Sequence, residues 1–260
     1  MDGVITGFLS GLEFGELQRF KNMELIPLFT PVKDSLEYLT LDEALQKRLL
    51  LVMEVSAGGD VPSLKVVNKA KVPVLLLDGE ELAGGKQNRV LNTTILLKED
   101  SETVIPVSCT EAGRWAYLSE ELDSMDTMLS PGLRRMKTRS VTDSLRDSGT
   151  FMSDQGAVWN DIDRTLDSAG VHSSTRSMRA AFEDKRSDLD EYLKAFSSMP
   201  EQKGLFVLIG GEVAGFDVVS FGPAYERLHP KLVKGYAMDA LLGGKEQKES
   251  RAANKAKAFI

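Results

Sequence analysis

Residues 204–220 read GLFVLIGGEVAGFDVVS, and this stretch decides how the chain is organised. Two apolar runs are joined by Gly210 and Gly211, which predicts a β-hairpin because glycine adopts the positive φ angles of a tight turn at little cost. A hairpin of two strands is too small to be stable alone. We therefore expect it to join or cover a sheet formed by the N-terminal part of the chain.

The N-terminal part carries the strand signals that such a sheet requires. Short runs rich in Val, Ile, Leu and Thr, bounded by Gly, Pro, Asp or Asn, predict strands at 23–29, 50–55, 63–67, 72–77, 90–97 and 104–109. Between the first two, a short helix is predicted, with Thr40 as its N-cap and Glu43 as the capping-box partner.

After Pro131 the apolar residues recur at helical spacing. Helices are predicted over 154–170, with Asp154 as N-cap and Gly170 at the end, over 174–196, and over 224–242, where Pro230 interrupts the pattern. The fold class is therefore α+β. We expect one domain over 20–243, β-rich over 20–130 and α-rich with the hairpin over 131–243, then a polar tail over 244–260. Two separable domains are the alternative.

Composition narrows the classes of function. The 260 residues include 32 Lys and Arg against 39 Asp and Glu, a formal charge of −7. The charge is uneven, since residues 1–130 carry −9 and residues 131–260 carry +2. Nucleic acids and anionic membranes are bound by basic surfaces, so we expect neither as a partner.

Location is predicted from the cysteine count and the N-terminus. One cysteine cannot form an internal disulfide and indicates a reducing compartment. The first 17 residues contain no Lys or Arg, unlike a signal peptide, and no apolar run approaches the roughly 20 residues of a membrane helix. We expect a cytoplasmic protein.

Few residues suit metal binding or nucleophilic catalysis. Only Cys109, His172 and His229 could supply sulfur or imidazole ligands, and no metal site is predicted. Cys109 lies in an apolar strand, which favours packing. Each histidine lies beside a helix end and is interpreted as a cap or surface residue. The basic run at 134–139 is interpreted as a solvated linker or helix start, with an anion or partner contact as the alternative.

Two polar segments are candidates for a functional site. The first, residues 78–92, reads DGEELAGGKQNRVLN and follows a strand that is predicted to be buried. Its Gly84-Gly85 pair permits a tight turn or close approach to a ligand. The candidate ligand-binding residues here are Lys86, Gln87, Asn88, Arg89 and Asn92. The alternative is an exposed hairpin with solvated charges.

The second polar segment, residues 106–115, reads PVSCTEAGRW and begins within a predicted strand. Loops that follow strands often carry binding residues. Arg114 could bind a phosphate through two hydrogen bonds, and Trp115 offers a flat face to a base or sugar. With no histidine nearby, Glu80 and Glu111 are the candidate general bases if the protein is an enzyme.

Four stretches together resemble a known family: LLLDGEELAGGKQNRVLNTTIL, IPVSCTEAGRW, FVLIGGEVAGFDVV and YERLHPKLVKGYAMDAL. The chain is similar from about residue 25 to 242 to the ARG and rhodanese-phosphatase-superfamily-associated protein domain. This is a prokaryotic family of unknown biochemical function. The resemblance implies an α+β domain and a link to ADP-ribosylglycohydrolases and NAD or ADP-ribose metabolism. It supplies no catalytic residues.

An ADP-ribose-like ligand would match the two polar segments in chemistry. Its pyrophosphate suits Lys86, Arg89 and Arg114, its diols suit Glu80, Gln87 and Asn88, and its adenine suits Trp115. The leading hypothesis is a domain that binds or processes such a phosphorylated nucleotide. The alternatives are a non-catalytic sensor or scaffold and a structural homo-oligomer. The sequence leaves the enzyme question, the cofactor and the reaction open.

Overall fold

A computed structural model describes residues 3–34, 36–244 and 252–260. The described residues form eight helices and fourteen strands, and the fold is of mixed α+β class, as predicted. Twelve of these strands end before residue 130, whereas six of the helices follow it. The chain divides into two compact units, residues 1–37 with 187–260 (unit 1) and residues 38–186 (unit 2). A single domain over 20–243 stays a prediction.

Unit 1 is built on an antiparallel sheet that confirms the predicted role of the hairpin. Its strands are β1 (Glu13–Phe14), β2 (Gln18–Phe20), β3 (Met23–Phe29), β13 (Gly204–Ile209) and β14 (Glu212–Val218). The order is β1-β3-β13-β14, with β2 also paired to β3. The hairpin turn has φ of 58° at Gly210 and 79° at Gly211, angles that glycine supplies without strain.

Helices cover this sheet because strand β3 is apolar on both faces. They are α1 (Gly3–Ser10), α6 (Arg186–Ala195), α7 (Gly222–Gly243) and α8 (Ala252–Phe259). Helix α7 contacts β13 and β14, and α8 contacts β3. The predicted polar tail therefore contains a packed helix, because Ala252 and Ala256 lie four residues apart and are buried on one side of it. Residues 245–251 lie outside the described chain.

Pro230 lies inside α7 and does not end it. The histidine before it, His229, is buried, which corrects its interpretation as a cap or surface residue. Its Nε2 lies 2.8 Å from the carbonyl of Phe196 and its Nδ1 lies 2.8 Å from the Tyr225 hydroxyl. The carbonyl can only accept, so the neutral imidazole carries its proton on Nε2. Burial lowers the pKa of His229.

Unit 2 contains two sheets and four helices. The strands are β4 (Leu39–Thr40), β5 (Leu50–Glu54), β6 (Ser63–Asn68), β7 (Val74–Leu76), β8 (Glu80–Gly84), β9 (Arg89–Leu91), β10 (Ile95–Leu97), β11 (Ser101–Cys109) and β12 (Leu122–Met128). The helices are α2 (Leu41–Gln46), α3 (Pro131–Ser148), α4 (Gln155–Ala169) and α5 (Met178–Asp184). The predicted caps are confirmed, since Thr40 accepts from the Glu43 amide and Asp154 from the Ala157 amide.

The six-stranded sheet of unit 2 closes on itself. Its order is β12-β8-β9-β11-β6-β5, every pair is antiparallel, and an isolated bridge between Met53 and Glu121 joins the two ends. Alternate residues of the strands fill the interior, among them Leu50, Val52 and Leu82. The second polar segment begins within β11 and continues into the loop after it, and the first spans β8 and β9. The strand order β8-β9-β11 therefore brings the two segments together in one barrel-like sheet.

One predicted strand is two strands in the structure. Residues 90–97 were expected to be continuous, but β9 belongs to the closed sheet and β10 pairs with β7 in a separate three-stranded sheet. The break falls at Asn92, whose side-chain amide donates to the carbonyl of Phe151, and at Thr94, whose hydroxyl accepts from the Asp78 amide. These bonds to polar side chains replace strand pairing.

Candidate functional site

The two polar segments contact each other, as the single-site hypothesis requires. Strand β9 lies between β8 and β11, so that Arg89 is opposite Leu82 on one side and Cys109 on the other. Arg114 Nη2 lies 3.1 Å from Asn88 Oδ1. We call the resulting group, centred on Arg89 and Arg114, the arginine cluster.

The side chains of the first segment are buried, and the alternative of a solvated hairpin is therefore wrong. Its two strands have β12 and β11 as outer neighbours, and most of its polar groups are hydrogen-bonded within the protein. The buried polar residues of the segment are Glu80, Glu81, Gln87, Asn88, Arg89 and Asn92. Lys86 is half-buried.

Arg114 is saturated by acceptors of the protein itself. Its guanidinium donates to Glu111 Oε2 at 2.9 Å and to the carbonyls of Gly85 and Ala116, each at 2.9 Å. The Gly84 carbonyl, at 3.4 Å, and Asn88 Oδ1 are further acceptors. A guanidinium has five N–H donors, so little capacity is left for a phosphate. Arg114 fixes the loop after β11 to the turn after β8.

The two predicted general bases are both engaged. Burial alone would raise the pKa of Glu111, but hydrogen bonds from Arg114 and Thr175 and the arginine charge hold that pKa below its ordinary value. Glu80 accepts a hydrogen bond from the Leu77 amide at 2.8 Å, across the turn between β7 and β8. These contacts position loops, and the assignment of either residue as a base stays a prediction.

Arg89 differs from Arg114 because part of its guanidinium has no hydrogen bond. The side chain is fully buried, and Nη1 donates to Gln87 Oε1 at 3.4 Å. Its Nε and Nη2 have no hydrogen-bond partner among the described residues. Glu54 lies beside it, with Oε1 3.6 Å from Nη2, and Glu54 Oε2 also lacks a partner. Unpaired buried donors and acceptors are rare and costly, so this pair is the candidate contact for a ligand.

Aromatic residues and a lysine lie over this pair. The Trp115 ring centroid is 5.7 Å from Arg89 Cζ and 5.3 Å from Lys86 Nζ, and Tyr117 is 5.2 Å from the same ammonium. Trp115 is 47% exposed, so part of its ring faces solvent. Lys86 Nζ donates to the Gly58 carbonyl at 2.6 Å. Together these groups combine cations with an accessible aromatic face.

The Gly84-Gly85 pair is required by the packing around the arginine cluster. Gly84 has φ of +122°, and a Cβ added there would lie 2.5 Å from Ser119 Oγ and 2.7 Å from the Glu121 carbonyl. A Cβ on Gly85, at φ +49°, would lie 2.9 Å from Glu54 Oε1. The turn therefore brings the backbone against Glu54 and the loop before β12.

Replacing Gly84 with alanine is expected to lower the free energy of unfolding by about 2–3 kcal/mol, from backbone strain and overpacking together. Urea denaturation measures the change. Gly149→Ala is the matched control, because Gly149 also has positive φ (+70°) but open space around the added Cβ. It should cost only about 1 kcal/mol. Equal losses in the two variants would contradict the close approach at Gly84.

Asn92 belongs to a second polar cluster. Its Oδ1 accepts from Ser108 Oγ at 2.5 Å, and Ser108 is in turn 2.5 Å from Ser153 Oγ. Lys137 of α3 is fully buried and donates to the Asn92 carbonyl at 3.0 Å, to the Leu91 carbonyl at 2.9 Å and to Asp78. Three acceptors satisfy its three donors. The residues of this cluster join α3 and the loop before α4 to the sheet.

Two further buried groups are ionisable. Glu81 accepts from the hydroxyls of Thr110 and Thr127 at 2.7 and 2.8 Å, and burial raises its pKa to about 7 despite these bonds. Cys109 is buried beside Gln87 Oε1, and burial raises its pKa to about 11. A thiol of such pKa is protonated at neutral pH, which agrees with its interpretation as packing.

Unit 1 holds a cavity of about 820 Å³ that none of the predicted site residues lines. Its walls come from residues within 30–34, 198–203 and 222–226. The buried polar side chains there are satisfied: Lys203 pairs with Asp34, and Gln202 bonds to the Gly204 carbonyl and Tyr225. The volume of this cavity therefore does not make it the candidate site. The atoms of Arg89 and Glu54 that lack hydrogen bonds favour the arginine cluster of unit 2 instead.

Sequence reasoning missed Glu54, Glu81 and Lys137. Glu54 stands third in the buried series Leu50, Val52, Glu54 of β5, whose burial alternates along the strand. Lys137 lies on the buried stripe of α3 with Leu133 and Val141, four residues away on each side. A charge at an inward position of a strand or helix was the signal that could have identified Glu54 and Lys137.

Fold and site together define a mixed α+β protein with a buried polar cluster in the wall of a closed antiparallel sheet. The family model of the ARG and Rhodanese-Phosphatase-superfamily-associated Protein domain matches residues 11–260. The chain belongs to this family, as its resemblance indicated. Comparison with curated proteins and with solved structures gave no match. No helix within the described residues has both the length and the apolar character to cross a membrane.

Proposed function

We propose that unit 2 is a small-molecule binding domain for an NAD-related, ADP-ribose-like or other phosphorylated nucleotide. The observation that supports it best is Arg89, a buried guanidinium with two nitrogens that have no hydrogen bond, whose Cζ lies 5.7 Å from the ring centroid of the partly exposed Trp115. A planar base or sugar can stack on the exposed part of the indole, while polar groups of the ligand reach the unpaired atoms.

Lys86 is the cation best placed for a phosphate. Its ammonium has three donors, and the described contacts use one of them on the Gly58 carbonyl. Arg114, which the sequence also assigned to phosphate, has its donors occupied within the protein. The ligand site therefore consists of Lys86, Arg89 and Trp115, with Gln87 holding Arg89 from the side.

Binding without turnover is the form of this function that the geometry favours. Neither Glu80 nor Glu111 is free of strong contacts, and Glu81 is fully enclosed by threonine hydroxyls. A general base must reach the proton that it removes. The proposal therefore describes a sensor-like binding domain, with processing of the ligand as its alternative.

A structural role in a homo-oligomer is the second candidate, and one observation favours it. Trp115, Tyr117 and Leu118 are 47%, 49% and 71% exposed on the same loop. Exposed aromatic and aliphatic residues of this kind are typical of protein interfaces. If the loop serves only for assembly, Trp115→Ala will change the oligomeric state in light scattering, and nucleotides will have no effect on it.

Tryptophan fluorescence tests ligand binding at this place. The chain has two tryptophans, so Trp159→Phe leaves Trp115 as the single reporter. We expect a saturable change in its emission with ADP-ribose or NAD, and none with inorganic phosphate. Lys86→Met should weaken the nucleotide effect at least tenfold, about 1.4 kcal/mol, because a phosphate contact is lost.

The matched control for Lys86 is Lys71→Met, which removes an exposed lysine paired with Asp100 in the same unit. It should leave binding unchanged. If no nucleotide changes the emission of Trp115 or the melting temperature of the wild-type protein, the proposed function is wrong.

A further inference from the structure

The unpaired atoms beside Trp115 form a set with a definite chemistry. They are the Nε and Nη2 donors of Arg89 and the Oε2 acceptor of Glu54. In a guanidinium these two nitrogens form one edge with two nearly parallel N–H bonds, which can donate two hydrogen bonds to the same ligand. The acceptor next to it requires an N–H group on the same ligand.

Glu54 is held in place, so the acceptor is fixed. Its Oε1 accepts from the Lys86 amide at 2.9 Å. Two glycines pack against the carboxylate, since a Cβ on Gly85 would lie 2.9 Å from Oε1 and one on Gly59 would lie 3.4 Å from Oε2. The same Cβ on Gly59 would be 3.3 Å from Trp115 Cζ2. The unpaired oxygen and the edge of the indole therefore both lie next to Gly59.

Charge argues against an anion at this position. The Glu54 carboxylate is 3.6 Å from Arg89 and compensates its charge inside the protein. A phosphate or carboxylate that approached the Arg89 edge would lie against Glu54, and like charges repel strongly where water is excluded. A neutral group with a carbonyl oxygen beside an N–H satisfies both residues without adding charge.

We infer that Arg89 and Glu54 together bind the amide edge of a planar ring that stacks on Trp115. The carbonyl oxygen accepts from Arg89, and the adjacent N–H donates to Glu54. Two ligand classes carry this edge: a ring with a primary carboxamide, such as nicotinamide, and a purine lactam, such as hypoxanthine or guanine. The inference rests on the proposed function only for the phosphate end of the ligand, which Lys86 would hold.

Calorimetric titration of the wild-type protein with matched ligands tests this inference. Nicotinamide mononucleotide and nicotinic acid mononucleotide differ in the amide alone, and inosine monophosphate and adenosine monophosphate differ at the lactam. In the pair whose ligands bind, we expect the compound that carries the amide or the lactam to bind at least tenfold more tightly than the other. The pair that shows this difference identifies whether the amide edge belongs to a carboxamide or to a purine lactam.

The variants separate recognition from folding. Glutamine at position 54 keeps the size of the side chain, but its amide can donate a hydrogen bond to an acid. In the Glu54→Gln variant the tenfold preference for the amide or lactam ligand should therefore fall below threefold. Arg89→Lys loses the two-donor edge and should weaken the binding of the amide or lactam ligand at least tenfold. Glu102→Gln, an exposed residue paired with Lys65, is the control and should change neither value. If a variant does not fold, the ratio of the affinities of the two matched ligands for the wild-type protein still tests the inference.

The outcomes distinguish this inference from the proposed function. Equal binding of amide and acid, or of lactam and adenine, by the wild-type protein would overturn the inference and leave nucleotide binding intact. The protein could instead bind free nicotinamide or hypoxanthine and no nucleotide, and lose this binding in the Glu54→Gln variant. That result would uphold the inference and overturn the proposed function. No binding of any of these compounds would overturn both.

Discussion

Replacing Lys137 with methionine is expected to lower the free energy of unfolding by about 3–4 kcal/mol, because breaking one side of a buried ion pair leaves the other charge uncompensated. Lys137 is completely buried and makes contacts with Asp78 and with two main-chain carbonyls. Methionine fills a similar volume but satisfies none of these acceptors. Urea denaturation, monitored by circular dichroism, measures the loss.

Two variants make this expectation specific. Lys71→Met breaks the Lys71–Asp100 pair, whose side chains are 83% and 52% exposed, and should cost no more than about 1 kcal/mol. Asp78→Asn combined with Lys137→Met removes both charges and should recover at least about 1 kcal/mol relative to Lys137→Met. A loss in Lys137→Met no larger than in Lys71→Met would show that the buried pair does not stabilise the fold.

The free energy of unfolding is expected to depend on pH through Glu81. Burial raises the pKa of Glu81 from an ordinary 4.5 to about 7 in the folded protein. Between these values the folded protein holds a proton that the unfolded chain releases. Stability therefore falls as pH rises through this window and stays lower above it, by an amount on the order of 3 kcal/mol.

Glu81→Gln tests this dependence, because glutamine resembles the protonated acid at every pH. The variant should match the wild-type protein in urea denaturation at pH 4 and exceed its stability by about 3 kcal/mol at pH 8. Glu102→Gln, on the exposed side of β11, should follow the wild-type profile. A constant difference between Glu81→Gln and the wild-type protein over the whole pH range would refute the raised pKa.

The elements that local sequence determines were predictable. The 204–220 hairpin, the caps at Thr40 and Asp154 and the strand over 23–29 depend on residues close in sequence, and all four are present. Closure of the six-stranded sheet was not predictable in this way. It depends on the bridge between Met53 and Glu121, two residues far apart in sequence with no shared motif.

The candidate site could be located from sequence but its contacts could not. Gly84-Gly85 and the polar residues around it predicted the segment in which the candidate site lies. Arg89 and Arg114 are nonetheless chemically identical in the sequence, and only the structure separates a saturated guanidinium from one with unpaired nitrogens. The partner that makes this difference, Glu54, comes from a strand that carried no polar motif.

Unit 1 is assembled from two distant parts of the chain, and this has a consequence for synthesis on the ribosome. Strand β3 has buried side chains along nearly its whole length, and it pairs with β13 about 180 residues later. Unit 2 is continuous and emerges in between, so it can fold while β3 still awaits its partner. During that interval an apolar strand is exposed, and we expect the nascent chain to depend on chaperones until residue 209 has left the exit tunnel.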